Sequence, residues 1–364
     1  MKNYTKAERF IICLDSFLGL EYKHKKEIIN LIDKTDNVEQ FIEIAKEYII
    51  KVIGQKEHRT LKNSVSEEYA DYLINALDKK GVQVTTYLSD DYPKSFLEIN
   101  LPPLVIYYKG DLSVVKKDLF AMVGSRKSLP LSLKLAQRYA KDLTDAGFGL
   151  VTGIAEGVDA TVLKTALEND AKAVSVIAGG FDHIYPRQHA ELVDRIAKIG
   201  LVISENPPET VPKAFHYPIR NRLIAALAKG VLIVSGGMKS GTFYTAEYAN
   251  DFGKDLFAIP YSVDVVSGAG CNDLIKKGAM LTDTPQDILD YYGKAVNKKT
   301  VNLSDDEKKI ITALADGQLH IEKICTLMGK KIFEITPLLS VLEIKGLIAK
   351  SGNFYSLISN DLED

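Results

Sequence analysis

Cysteine is scarce in this 364-residue sequence, and long apolar runs are missing. The three cysteines, Cys13, Cys271 and Cys325, are odd in number and far apart, so they offer neither a disulfide framework nor a zinc spacing. That usage fits a reducing cytoplasm, the location expected. No stretch of about 18 apolar residues occurs, which excludes a spanning helix, and no membrane partner is expected. The opening segment MKNYTKAERFIICLDSFLGLEYK lacks a small-residue cleavage site, so it does not read as a secretory signal. The six histidines form no HExxH or similar pair, and no metal site is expected. The segment GSRKSLPLS lacks the GxGxxG spacing of a dinucleotide site, and GxxxxGK[ST] occurs nowhere. No cofactor is expected, and redox and ATPase chemistry are disfavoured. Neither sign of charge prevails: 46 Lys and Arg stand against 48 Asp and Glu, net −2. A protein that coats duplex DNA by bulk positive charge is thereby excluded, and any nucleic-acid site has to be a local basic pocket.

What is present reads as a globular protein of two or three domains, with 46% apolar and 26% charged residues. Residues 1–70 carry apolar side chains at helical spacing in ERFIICLDSFLGL, HKKEIINLIDKT and VEQFIEIAKEYIIKVI, with breaks at Gly19, Asp36-Asn37 and Gly54. Residues 71–290 alternate short Val/Ile-rich strands with helices, among them DLFAMVGS, FGLVTGI, AKAVSVIAGG, LVISENP, VLIVSGG and KDLFAIPYS. Such alternation specifies an α/β fold with a Rossmann-like, doubly wound parallel sheet. Residues 291–302 read as a polar linker. Residues 303–364 read as three helices and two strands hinged at Ser351-Gly352-Asn353, a winged-helix pattern. That last segment holds 7 Lys/Arg and 10 Asp/Glu, net −3, which suits a protein contact better than duplex DNA.

Ligands of open parallel sheets sit beyond the carboxyl ends of the strands, where loops meet helix N-termini. The loops expected there hold Gly124-Ser125-Arg126, Gly153 and Gly157, Gly179-Gly180, Ser204-Glu205-Asn206, and Ser235 through Thr242. Glycine lets a phosphate approach backbone N–H groups, and Arg126 adds a planar cationic fork beside the first loop. Arg220-Asn221-Arg222 opens a helix and supplies two more cations, one of them a candidate partner of Glu205. Ser240-Gly241-Thr242 places small polar residues at another helix start. Asp159 reads as the N-cap of its helix rather than as a catalytic acid. Phe215 is the candidate for stacking on a base, and Tyr185 reads as core. No catalytic residue is assigned.

The ordered series GSR (124–126), GIAEGVDA (153–160), AGGFDHIYPRQ (178–188), ISENPP (203–208), YPIRNRLIAALA (217–228), SGTFYTAEYA (240–249) and GAGCNDLIKKGA (268–279) resembles the DprA/Smf family of DNA-processing proteins. Asp91-Tyr92-Pro93, Pro102-Pro103-Leu104 and Lys109-Gly110 resemble the family's lead-in. The tail LEIKGLIAKSGNFYSL resembles its winged helix, and the helical N-terminus resembles its SAM-like domain. The resemblance implies a Rossmann-like core that binds single-stranded DNA without sequence preference and forms a homodimer. It also implies that the strand is handed to the RecA recombinase in natural transformation. This chain departs from the family pattern at four places: Glu156 stands for an arginine, Leu163 for a histidine, Ser235 for a glutamate and Tyr261 for a glycine. An inward-facing Glu156 would repel phosphate. The alternative reading is a nucleotide-binding enzyme or sensor of the related phosphoribohydrolase-like type. There, SGGMKSGTFYTAE approaches a GGxGTxxE motif but sets Thr245, not a carboxylate, at the acid position.

Overall fold

Strand β3 (Leu119–Gly124) shows how this sequence builds layers. Phe120 and Met122 point to one face, Leu119, Ala121 and Val123 to the other, and all five are buried. A strand apolar on both faces needs cover on both. The computed structural model, which describes residues 2–16, 22–34, 37–53, 66–295, 303–345 and 347–357, supplies it. The chain divides into two compact units, Met1–Asn297 and Lys298–Asp364.

The first unit begins with helices α1 (Lys6–Ser16), α2 (Tyr22–Asp33), α3 (Val38–Ile53) and α4 (Glu67–Lys79). Ser66 caps α4 by accepting from Tyr69 N. Next come β1 (Gln83–Thr86) and β2 (Val105–Gly110), an antiparallel pair. After β3 the chain alternates: α5 (Pro130–Asp145), β4 (Gly149–Thr152), α6 (Val158–Glu168), β5 (Ala173–Ile177), α7 (Ala190–Ile199) and β6 (Leu201–Ser204). It continues through α8 (His216–Leu227), β7 (Gly230–Ser235), α9 (Thr242–Asp251), β8 (Asp255–Ala258), α10 (Ala269–Lys276), β9 (Met280–Leu281) and α11 (Pro285–Tyr291).

The sheet runs β1-β2-β6-β5-β4-β3-β7-β8-β9, with β2 antiparallel to β6 and every pair from β6 to β9 parallel. The chain winds outward from β3 to β6, then returns to lay β7 against the other side of β3. The expected doubly wound parallel sheet is therefore present. It has a switch point between β3 and β7, where flanking loops diverge and leave a crevice.

One apolar cluster joins Phe120 and Met122 to Ala136, Tyr139 and Leu143 of α5. The same cluster takes in Phe10, Ile11 and Leu14 of α1, Ile28 of α2, Phe41 and Ile49 of α3, and Val105 and Tyr107 of β2. The N-terminal helices thus share their core with the sheet. A buried ion pair, Lys25 Nζ to Asp15 Oδ1 at 2.6 Å, lies at this seam, and Tyr107 Oη donates to Asp15 Oδ2 at 3.0 Å. Burial pushes the Asp15 carboxyl above its ordinary range, against the opposing pull of Lys25 and Tyr107. The opposite face packs Leu119, Ala121 and Val123 against Leu223, Ile224 and Leu227 of α8.

At the end of this unit, Tyr292 packs edge-on to Phe120 and Phe148, and Lys294 reaches Asp118 at 3.3 Å. Of the segment read as a linker, residues 296–302 lie outside the described residues.

The second unit holds α12 (Asp305–Leu314), β10 (Leu319–His320), α13 (Ile321–Met328), α14 (Ile332–Ile344), β11 (Ile348–Ser351) and β12 (Phe354–Leu357). Its sheet runs β10-β12-β11, antiparallel throughout. Gly352, at φ +62°, turns the β11–β12 hairpin. Ile310, Leu314, Ile324, Ile335, Leu339, Leu342 and Ile348 form its own core. Among the described residues no helix is long and apolar enough to cross a membrane.

Candidate nucleic-acid interface

A cleft of about 620 Å³ opens at the carboxyl ends of β3 and β7, the switch point of the sheet. Gly124, Ser125, Arg126 and Lys127 form one wall, and Ala155 and Asp159 line it from the β4–α6 side. Tyr217, Arg220, Asn221 and Ile224 come from α8, while Ser240, Gly241, Thr242, Tyr244 and Thr245 come from the start of α9. Three cations, Arg126, Lys127 and Arg220, face one carboxylate, Asp159, so the cleft is locally positive in a chain of net charge −2.

The loop after β3 is held from both sides. Ser235, buried at the end of β7, accepts from Ser125 N at 3.3 Å and lies 3.3 Å from Ser128 Oγ. Gly157, at φ +78°, lets the start of α6 press on the same loop: a Cβ there would sit 2.4 Å from Ser125 O and 2.7 Å from Arg126 O. The loop so fixed presents Arg126 in the open. Its guanidinium lies 4.8 Å from the centre of the Tyr217 ring and forms no salt bridge among the described residues. Burial raises the pKa of Tyr217, with Arg126 and Arg220 opposing. An exposed guanidinium stacked on a ring is a ready anion contact.

Arg220 is a different kind of cation. It is 7% exposed, donates from Nη1 to Val176 O and from Nε to Asn221 Oδ1 at 3.2 Å. Burial pulls its pKa below the usual guanidinium value, and Asp159 acts against that. Asp159 Oδ2 accepts from Ala155 N at 3.2 Å, and burial raises its carboxyl against the opposing effect of Arg220. Gly153 leaves room for both: a Cβ there would meet Asp159 Oδ2 at 2.4 Å and the Arg220 guanidinium at 2.7 Å. The cap position of α6 is Gly157, not Asp159 as the sequence suggested. The positive φ of Gly157 starts the helix early, and Asp159 turns back to the 155 amide from inside the first turn.

The remaining candidates separate by position. Arg222 lies away from the cleft, 3% exposed, and grips both Glu205 oxygens at 2.8 and 2.6 Å while donating to Leu101 O at 3.0 Å. It fastens α8 to the β6 loop. Asn221 Nδ2 donates to Gly241 O at 3.3 Å and joins α8 to the start of α9. Ser240 and Thr242 hydrogen-bond to each other across that start. Gly179 and Gly180 serve packing: a Cβ at Gly180 would lie 2.0 Å from Pro207 O, and one at Gly179 would lie 2.7 Å from Pro212. Phe215 is 52% exposed, edge-on to His216 and between the lining residues Ala214 and Tyr217. Tyr185 is 57% exposed, not core.

The departures from the family pattern also find places. Glu156 is exposed, accepts from Gln188 Nε2 at 2.6 Å and is not among the cleft's lining residues. Leu163 is fully buried in the core of α6. Tyr261 donates to Val234 O at 2.8 Å and fills the space left by Gly268. Tyr217, Tyr244, Lys127 and Asp159 escaped the sequence reading as lining residues. A signal existed for one: Tyr217, Arg220, Asn221 and Ile224 stand at i, i+3, i+4 and i+7, one helix face.

The sequence profile described as "DNA recombination-mediator protein A" matches residues 83–293. The DNA processing protein DprA of Bacillus subtilis is 34% identical over 233 residues, 63% of this chain and 78% of that one. The crystal structure of DNA processing protein A from Streptococcus pneumoniae superposes with a TM-score of 0.67 at 30% identity, covering 79% of this chain and 98% of the other. A structure of DNA processing protein A from Helicobacter pylori, titled for its single-stranded DNA binding mode, gives 0.53 at 29% identity over 58% and 95%.

Proposed function

This chain belongs to the DNA recombination-mediator protein A family, and from that premise we propose that its β3–β7 cleft holds the phosphate backbone of single-stranded DNA without reading base sequence. The observation that carries the reading is Arg126: exposed, stacked on Tyr217, and mounted on a rigid loop at the switch point of the sheet. Ser125 and the Ser240-Gly241-Thr242 helix start add hydroxyl groups and a helix N-terminus to the same cleft. Exposed aromatic rings on the same edge, Phe215 and Tyr244, offer stacking surfaces that any base can use. The strand is then passed to the RecA recombinase in the cytoplasm during transformation. The protein acts as a homodimer, for which the exposed Val263, Val266 and Leu281 on the late segments provide apolar surface. We read the N-terminal helices as SAM-like and the second unit as a winged helix.

The test is a titration of labelled oligonucleotides of several lengths, single- and double-stranded, at several salt concentrations. Affinity that grows with strand length and falls with salt supports the mediator. Saturable binding of a mononucleotide with no length dependence favours the enzyme or sensor reading, for which the closed-in Asp159 is the available carboxylate. Thr245, at the acid position of that motif, lines the cleft without a titratable group.

A further inference from the structure

Helix α14 breaks the usual division of a surface helix into an apolar and a polar side. Ile335, Leu339 and Leu342 face the core of the second unit and are buried. The opposite face carries Phe333, 68% exposed, Val341, 41% exposed, and Ile344, 86% exposed, with Pro337 exposed between them. At 100° per residue these four positions fall within one stripe of about 80°, and it runs roughly 16 Å along the axis. Single exposed apolar residues need no explanation, but a continuous stripe marks an interaction surface.

The charges framing the stripe say what fits it. The helix sequence IFEITPLLSVLEI contains two charged residues, Glu334 and Glu343, and no base. Two of the lysines flanking its ends are engaged within the unit, Lys330 with Asp306 and Lys345 with Glu307, and Lys331 stands at the N-cap, off the stripe. Phosphate would therefore meet carboxylates here, which disfavours a nucleic acid. A second copy would bring acid against acid, in a segment whose 7 Lys/Arg and 10 Asp/Glu leave it at −3.

We propose that the outer face of α14 is a docking site for an apolar helix of another protein flanked by basic residues, about three turns long. Phe333 and Ile344 are its anchors, and Glu334 and Glu343 select the sign of the partner's rim. The proposal is independent of the cleft.

The test uses the full-length protein and two labelled synthetic helices of identical Leu stripe, one with lysine and one with glutamate on the polar face. The lysine peptide is expected to bind saturably, and the glutamate peptide at least tenfold more weakly. F333S/I344S, at exposed positions, should weaken the lysine peptide tenfold or more while leaving thermal unfolding and single-strand binding unchanged. E334K/E343K should move the preference toward the glutamate peptide. The idea is overturned by absence of saturable binding, by equal affinity for both peptides, or by affinity indifferent to F333S/I344S. It is also overturned if those substitutions instead abolish duplex-DNA binding, or dissolve a dimer seen by light scattering.

Discussion

Arg126 and Arg222 separate the two jobs an arginine does in this molecule. Arg126→Ala removes an exposed charge that packs on one ring, so the fold should survive while single-strand affinity drops by about 1–3 kcal/mol. Anisotropy at low salt measures it, and an unchanged affinity in a folded variant refutes the phosphate contact. Glu205→Ala does the opposite. It strands the buried Arg222 guanidinium, and urea unfolding should register a loss of roughly 3–5 kcal/mol. His216 adds a pH dependence at the same corner. Burial lowers its pKa, and its Nδ1 accepts from Lys213 N at 3.0 Å. The folded state therefore resists protonation, and stability present at neutral pH is lost as pH falls below about 6.5, where the unfolded chain takes up the proton first. His216→Asn should unfold with a flatter profile between pH 5 and 7 than the parent; identical profiles would remove His216 from the account.

At the scale of elements, much of the architecture was legible. The apolar runs of β3 to β8 announce buried parallel strands, and the intervening helices place the loops on one edge. What the sequence could not say was which neighbour each loop glycine makes room for. Gly179 and Gly180 make way for Pro212 and Pro207, and Gly124 makes way for Val158, contacts set by segments some 30 residues downstream. Arg222 and Arg220 are likewise two residues apart, and only the placement of Glu205 and Asp159 divides their roles. Gly157→Ala tests the packing logic directly. Its positive φ and the 2.4 Å approach to Ser125 O mean that the β3 loop must shift. Single-strand affinity should fall toward that of Arg126→Ala, together with a clear loss of stability, because the clash is with backbone and the positive φ strains any Cβ. Full affinity would separate loop position from binding.

For the whole molecule, the expectations concern how many such clefts act together. A single cleft spans few nucleotides, and two on one rigid pair gain avidity for a strand long enough to bridge them. Light scattering at micromolar concentration combined with oligonucleotides of graded length should report a dimer whose affinity climbs with length. A monomer indifferent to length would contradict it. Removal of residues 298–364 should leave affinity for a long oligonucleotide within about tenfold, roughly 1.4 kcal/mol, since that unit has its own core and adds net negative charge.

The seam between the N-terminal helices and the sheet has a consequence for how the protein is made. Tyr107, which hydrogen-bonds to buried Asp15, is encoded 92 residues after it. A ribosome adding about 5–20 residues per second delivers α1 roughly 5–20 seconds, and α3 roughly 3–10 seconds, before the strand that covers them. During that interval Ile11, Leu14, Ile28, Phe41 and Ile49 have no sheet to rest on. The nascent chain thus passes through a sticky stage on every round of synthesis, when a holdase has a client and a truncated product stopping short of β2 has a reason to aggregate.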